Sequence, residues 1–169
     1  MKLDRPTYLI AELQGDAVSL VKSMRKQFNP ETVAWPVDIT IAGSSGLGTI
    51  KEGQAISEVI GCLGLVINKH HFTTVNFESI NRFPKTGIYY LAPQRERFDA
   101  LHRAVADSGV LFNENQWVYN PHCTLRAGSA PMEECDKIFK SLAMPTNTSI
   151  ACFSLYQSEL GGGRRVYRF

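Results

Sequence analysis

The sequence predicts an α+β fold made of two similar lobes, and three observations carry that expectation. Apolar residues switch along the whole chain between the two-residue period of strands and the 3.6-residue period of helices. A strand-like segment with an acid/base residue two before a threonine and a proline just upstream occurs twice, at Pro36-Val37-Asp38-Ile39-Thr40-Ile41 and at Pro121-His122-Cys123-Thr124-Leu125, with Asp38 and His122 84 positions apart. That separation is about half of the 169 residues, and a 44% hydrophobic composition is enough for one core shared by two small lobes.

The elements follow in order. Thr7–Leu13 is short, apolar and rich in strand formers, and Gly15-Asp16 ends it, with Asp16 placed to cap a helix. Val18, Leu20, Val21 and Met24 then recur at helical spacing up to Phe28-Asn29-Pro30. Val37–Ala42 reads as a strand and Gly43–Gly48 as a loop. Ile50–Leu65 reads as a helix on Ile56, Val59, Ile60 and Leu63, with Gly61 and Gly64 weakening its end. Phe72–Phe83 and Gly87–Ala92 read as two strands joined across Pro84-Lys85-Thr86-Gly87. Glu96–Ser108 is a helix with Phe98, Leu101 and Val105 inward and His102 beside them. Tyr119–Ala127 is the second motif strand, and Pro131–Leu142 a helix with proline in its first turn. Ser149–Leu160 and Arg165–Phe169 close the chain as a strand pair around Gly161-Gly162-Gly163.

Composition narrows the function classes. With 18 basic and 16 acidic residues the net charge is +2, so no broad attraction to nucleic acid is built in and any RNA contact is local. No apolar run approaches the roughly 20 residues that span a bilayer, and Met1–Pro6 carries no signal-type stretch, so a cytoplasmic location is expected. Cys62, Cys123, Cys135 and Cys152 are scattered without a CxxC pair, which points to reduced thiols rather than a metal site or disulfide framework.

The second motif carries the chemistry. In a strand, His122, Thr124 and Arg126 share one face, placing a titratable imidazole, a hydroxyl and a guanidinium along one edge. That set suits a phosphate ester: a proton shuttle, a neutral donor and a fixed positive fork. The first motif offers Thr40 in the same way but has Asp38 where the histidine would stand. Three uses of Asp38 follow: base to a His122 acid, hydrogen-bonding group in a non-catalytic binder, or recruiter of a cation. His71-Phe72-Thr73 is a further His-x-Thr with His70 beside it, but His71 lies only 51 residues before His122 and reads as a solvated strand end. The Gly43–Gly48 loop lacks the lysine of a phosphate-binding P-loop. Arg164 and Arg165 read as hairpin surface charges, and Trp35, Trp117 and Tyr119 as packing or rim aromatics able to stack a base.

With both motifs placed, the chain resembles the 2H phosphoesterase superfamily, which includes the 2′-5′ RNA ligase-like proteins and cyclic nucleotide phosphodiesterases. The resemblance rests on two proline-preceded motifs half a chain apart, the second complete and the first with Asp38 for histidine. It extends over the opening strand Tyr8–Leu13, Phe83-Pro84, Gly87–Leu91, Leu101-His102 and Arg165-Val166-Tyr167. It implies a single domain over residues 1–169, bilobal and α+β, with two antiparallel sheets lining a central cleft and helices outside. It implies a phosphoric diester hydrolase or 2′-5′ RNA ligase-like enzyme acting on RNA ends or 2′,3′-cyclic nucleotides, without a metal or other cofactor. His122 and Asp38 would be the acid/base pair, with Thr124, Thr40 and Arg126 on the phosphate. No membrane and no obligate protein partner are implied. The alternative is a catalytically inactive RNA- or nucleotide-binding protein using the same cleft.

Overall fold

The computed structural model describes residues 1–129, 131–159 and 162–169. Strand β1 (Thr7–Gly15) leads directly into helix α1 (Asp16–Phe28), and a short 3-10 turn at Pro30–Thr32 leads to β2 (Asp38–Ala42). Helix α2 (Ile56–Lys69), the strands β3 (Phe77–Arg82) and β4 (Tyr89–Pro93), and helix α3 (Glu96–Ala106) follow. The chain ends with β5 (Cys123–Arg126), α4 (Glu133–Ser141), β6 (Thr148–Glu159) and β7 (Gly162–Arg168). The predicted α+β class and both antiparallel sheets are present: a four-stranded sheet in the order β2-β1-β6-β7 and a three-stranded sheet in the order β3-β4-β5.

Each sheet places its motif strand at an edge, β2 in one and β5 in the other, and these two edges touch. Strand alternation does the rest. Ile39 and Ile41 of β2 and Cys123 and Leu125 of β5 are fully buried, while Asp38, Thr40 and Thr124 between them are only partly so. The apolar side chains join one continuous core with Leu9, Leu91, Leu101 and Leu155. Helix α1 packs on both β1 and β5 and so spans the two sheets, while α3 packs on α2 and β2.

Several boundaries differ from expectation for local reasons. The helix expected from Ile50 starts at Ile56, because the Ile50 N–H donates to Thr7 O and the Lys51 N–H to Leu111 O, at 2.8 and 2.9 Å. It runs past Gly61 and Gly64 because Val59, Leu63 and Ile67 keep a buried stripe. The strand expected over Phe72–Phe83 is shortened to β3, since the backbone around Thr73–Val75 pairs with Thr148 and Ile150 of the other sheet. Only Cys123–Arg126 of the expected Tyr119–Ala127 strand is regular. The final hairpin opens at Gly162 rather than Arg165, and Leu160 and Gly161 lie outside the described residues. All four cysteines are free thiols, and no helix among the described residues is long and apolar enough to cross a membrane.

Candidate active site

The cleft lies where the two edge strands meet, with a volume of about 380 Å³, the size of a small-ligand pocket. Asp38, Thr40, His122 and Thr124 all line it. The face of the four-stranded sheet, with Tyr8 and Ile10 of β1 and Tyr156 of β6, forms another part of its lining. The contact between the motifs is intimate: the buried Cys123 thiol is hydrogen-bonded to the Asp38 backbone, and burial, then the nearby Asp38 charge, push that thiol up to about 12. Cys123 is therefore a protonated packing group rather than a nucleophile.

His122 stands one residue before β5, held by its surroundings rather than by a ladder. Its Nδ1–H donates to Asn120 O at 2.7 Å, and the Asn120 N–H in turn donates to Ser45 Oγ at 3.1 Å. Phe83 and Tyr90, stacked on one another at 4.4 Å, meet the imidazole in edge-on geometry at 5.1 and 5.4 Å between centroids. The Nδ1 bond fixes the tautomer and leaves Nε2 as the free acceptor. Burial holds the ring's pKa below its usual value, outweighing the upward pull of the Asn120 carbonyl. His122 is thus neutral at pH 7, with a lone pair available.

Asp38 differs sharply from an ordinary aspartate. Burial raises its pKa from 3.8 to about 6, although the Arg25 guanidinium and the Thr40 hydroxyl both pull it down. The Thr40 hydroxyl donates to Asp38 Oδ2 at 3.4 Å, two residues away on the same face. Glu12, opposite Asp38 in the β1–β2 ladder and gripped by the Arg165 fork at 2.9 and 2.6 Å, adds the least of these effects, a further upward push. The carboxyl therefore titrates close to the reference value of histidine, about 6.5.

The structure brings together four of the five candidate residues. Arg126 is the exception: its Nη1 donates to Gly87 O at 2.9 Å and its Nη2 approaches Met132 Sδ at 2.9 Å, and it is not among the described residues lining the cleft. The register of β4 and β5 shifts between Tyr89 and Tyr90, although burial still alternates along β5 through Arg126. His70 caps the C-terminus of α2 and His71 follows it, so the segment is a helix end rather than the expected strand end, and neither residue lines the cleft. His102 is structural: its Nδ1–H donates to Ile41 O at 2.7 Å, and its ring lies flat on buried Tyr119 at 3.7 Å. Trp35 lines the cleft while half-exposed. Arg164 and Arg165 are held by Gln157 and Glu12 rather than projecting freely.

Arg25 is the residue the sequence reading missed. A signal existed: Ala17, Val21, Met24 and Arg25 form one buried stripe on α1, so the arginine sits at an inward position of an amphipathic helix. Among the described residues, no group of three or more His, Cys, Asp or Glu is placed to hold a metal ion.

A profile of the 2′-5′ RNA ligase superfamily matches residues 11–158. Solved structures with the same fold include E. coli LigT complexed with 3′-AMP, at 17% identity and a TM-score of 0.58, covering 98% of this chain and 97% of that one. E. coli LigT in its apo form is 19% identical with a TM-score of 0.56, covering 98% and 96%. A further phosphoesterase structure is 17% identical with a TM-score of 0.54, covering 98% and 97%. None of the curated proteins matches the chain significantly in sequence.

Proposed function

This chain belongs to the 2′-5′ RNA ligase superfamily, and on that premise we propose that it is a phosphoesterase that opens 2′,3′-cyclic phosphodiesters of nucleotides or RNA ends. We read residues 1–169 as one domain whose two sheets supply one half-site each. The observation that carries the proposal is the convergence of Asp38, Thr40, His122 and Thr124 on one cleft between two edge strands.

His122 Nε2 takes a proton from the attacking water as the new O–P bond forms. Asp38, protonated, gives its proton to the ribose oxygen as the old P–O bond breaks. A proton returned from His122 to Asp38 through solvent resets the pair. The threonine hydroxyls donate to the non-bridging oxygens, where charge concentrates in a phosphoryl transition state. Bound phosphate assists the assignment of roles: its negative charge raises the Asp38 pKa above the free value of about 6 and keeps the acid loaded near neutral pH. With a ribose 5′-hydroxyl attacking in place of water, the same two groups in the same roles join two ends: His122 takes the hydroxyl proton, the new O–P bond forms, and Asp38 protonates the departing 3′ oxygen, leaving a 2′-5′ linkage.

Hydrolysis of 2′,3′-cyclic AMP, followed by product analysis, tests this. The native chain is expected to turn over, and His122→Ala to lose a factor of about 10²–10⁴. Saturable nucleotide binding with no turnover in the native chain would reject the enzyme in favour of a binding protein.

A further inference from the structure

We propose that Arg25 is the anion-binding residue of the cleft, anchored through one guanidinium nitrogen and presenting the other two to a non-bridging oxygen of the substrate phosphate. The inference rests on reading the cleft as a phosphodiester site and supplies the cationic contact that Arg126 does not make there.

Arg25 is only 7% exposed, on a helix face otherwise built of Ala17, Val21 and Met24. A charge at such depth is costly unless it is paired or hydrogen-bonded. Its Nη1 donates to three carbonyls, Thr32 O at 3.4 Å, Trp35 O at 3.1 Å and Pro36 O at 3.0 Å. These bonds tie α1 to the segment that delivers Trp35 and Asp38 to the cleft. Nε and Nη2 have no partner among the described residues, and neither is sealed from solvent. Arg25 itself lines the cleft. It makes no ion pair with Asp38 within 4 Å, so its charge acts on that carboxyl from a distance and its free donors are not spent on it.

The charge inventory points the same way. Of the described residues lining the cleft, Arg25 alone carries a permanent positive charge, and Asp38 brings a carboxylate to the same space. A phosphodiester entering beside that carboxylate meets like-charge repulsion that a histidine at the same position would not impose. A fixed guanidinium with two donors left over offsets it, and guanidinium geometry matches phosphate oxygens.

The test uses inorganic phosphate and 3′-AMP as probes and needs no turnover. In the native protein, the Arg25 Nε–H NMR signal is expected to shift saturably as phosphate is added. Arg25→Gln is expected to weaken both ligands by about 10- to 100-fold, the usual worth of hydrogen bonds to a charged group. Arg25→Lys, which keeps the charge and can keep the carbonyl anchor, is expected to recover only part of that loss. Should the glutamine variant fail to fold, the native signal and the lysine variant decide. An Arg25 signal unmoved by saturating phosphate, full recovery in the lysine variant, or a folded glutamine variant with native affinity would overturn the proposal. Turnover without phosphate at Arg25 removes the anion site alone. Phosphate at Arg25 without turnover removes the enzyme alone.

Discussion

At position 38 burial and charge compete, and their balance sets what the residue can do. An aspartate in water is ionised at pH 7 and makes a poor proton donor. Here desolvation outweighs the pull of Arg25 and Thr40 and leaves a carboxyl that titrates at about 6. The same balance affects stability, with a definite sign. Below pH 3.8 both folded and unfolded chains hold the proton and there is no penalty. As pH rises from 3.8 to about 6 the unfolded chain releases it first, so the folded state loses stability. By pH 7 the loss is about 1–3 kcal/mol. Asp38→Asn is therefore expected to be more stable than the native chain by that amount at pH 7 and equal to it at pH 4, measured by urea unfolding at the two pH values. A variant less stable than native at pH 7 would show that Asp38 is held by partners that outweigh its burial.

At the scale of elements, the cleft depends on a brace behind β2. His102 of α3 donates to Ile41 O, its ring covers Tyr119, and the Gly46 N–H donates to Trp117 O at 2.7 Å. Gly46 has φ +68, and a Cβ there would stand 2.4 Å from His102 Nε2 and 2.8 Å from Tyr119 Cβ. Gly46→Ala meets both a backbone and a packing obstacle, so a loss of about 1–3 kcal/mol is expected, a fall in Tm of roughly 3–10 °C. Its pH–rate profile should keep the native shape, since neither titrating group is touched; an unchanged Tm would mean that the brace yields. This brace was not legible in the sequence. His102 could be placed beside an apolar helix face, but its partner is a carbonyl 61 residues away. The elements of strongest periodicity, β1, α1 and α3, were legible, whereas Ile50 and Thr73–Val75 were misread because long-range backbone bonds overrode local pattern.

At the scale of the whole molecule, two edge strands from separate sheets meet, and the cleft between them is lined by Asp38 of β2 and by His122 just before β5. The pairing was legible because the acid/base-x-Thr pattern recurs half a chain apart with a proline just upstream each time. The titration of Asp38 was not, because burial comes from the fold, and neither was the departure of Arg126, because the Gly87 carbonyl that holds its guanidinium lies 39 residues away in sequence. The central claim is that Asp38 and His122 work as a pair holding one proton. The pH dependence of 2′,3′-cyclic AMP hydrolysis by the native chain and Asp38→Asn tests it most directly. For the native chain, kcat/KM should rise as His122 loses its proton below its reference pKa of about 6.5, and fall as Asp38 loses its own above about 6. The maximum should lie below the basic limb set by Asp38 at about 6, and the basic limb of kcat should sit higher, because bound phosphate retains the Asp38 proton. Asp38→Asn should lose the basic limb and fall by about 10²–10⁴ in rate. A native rate that climbs steadily through pH 8, or an asparagine variant as fast as native, would contradict the pairing.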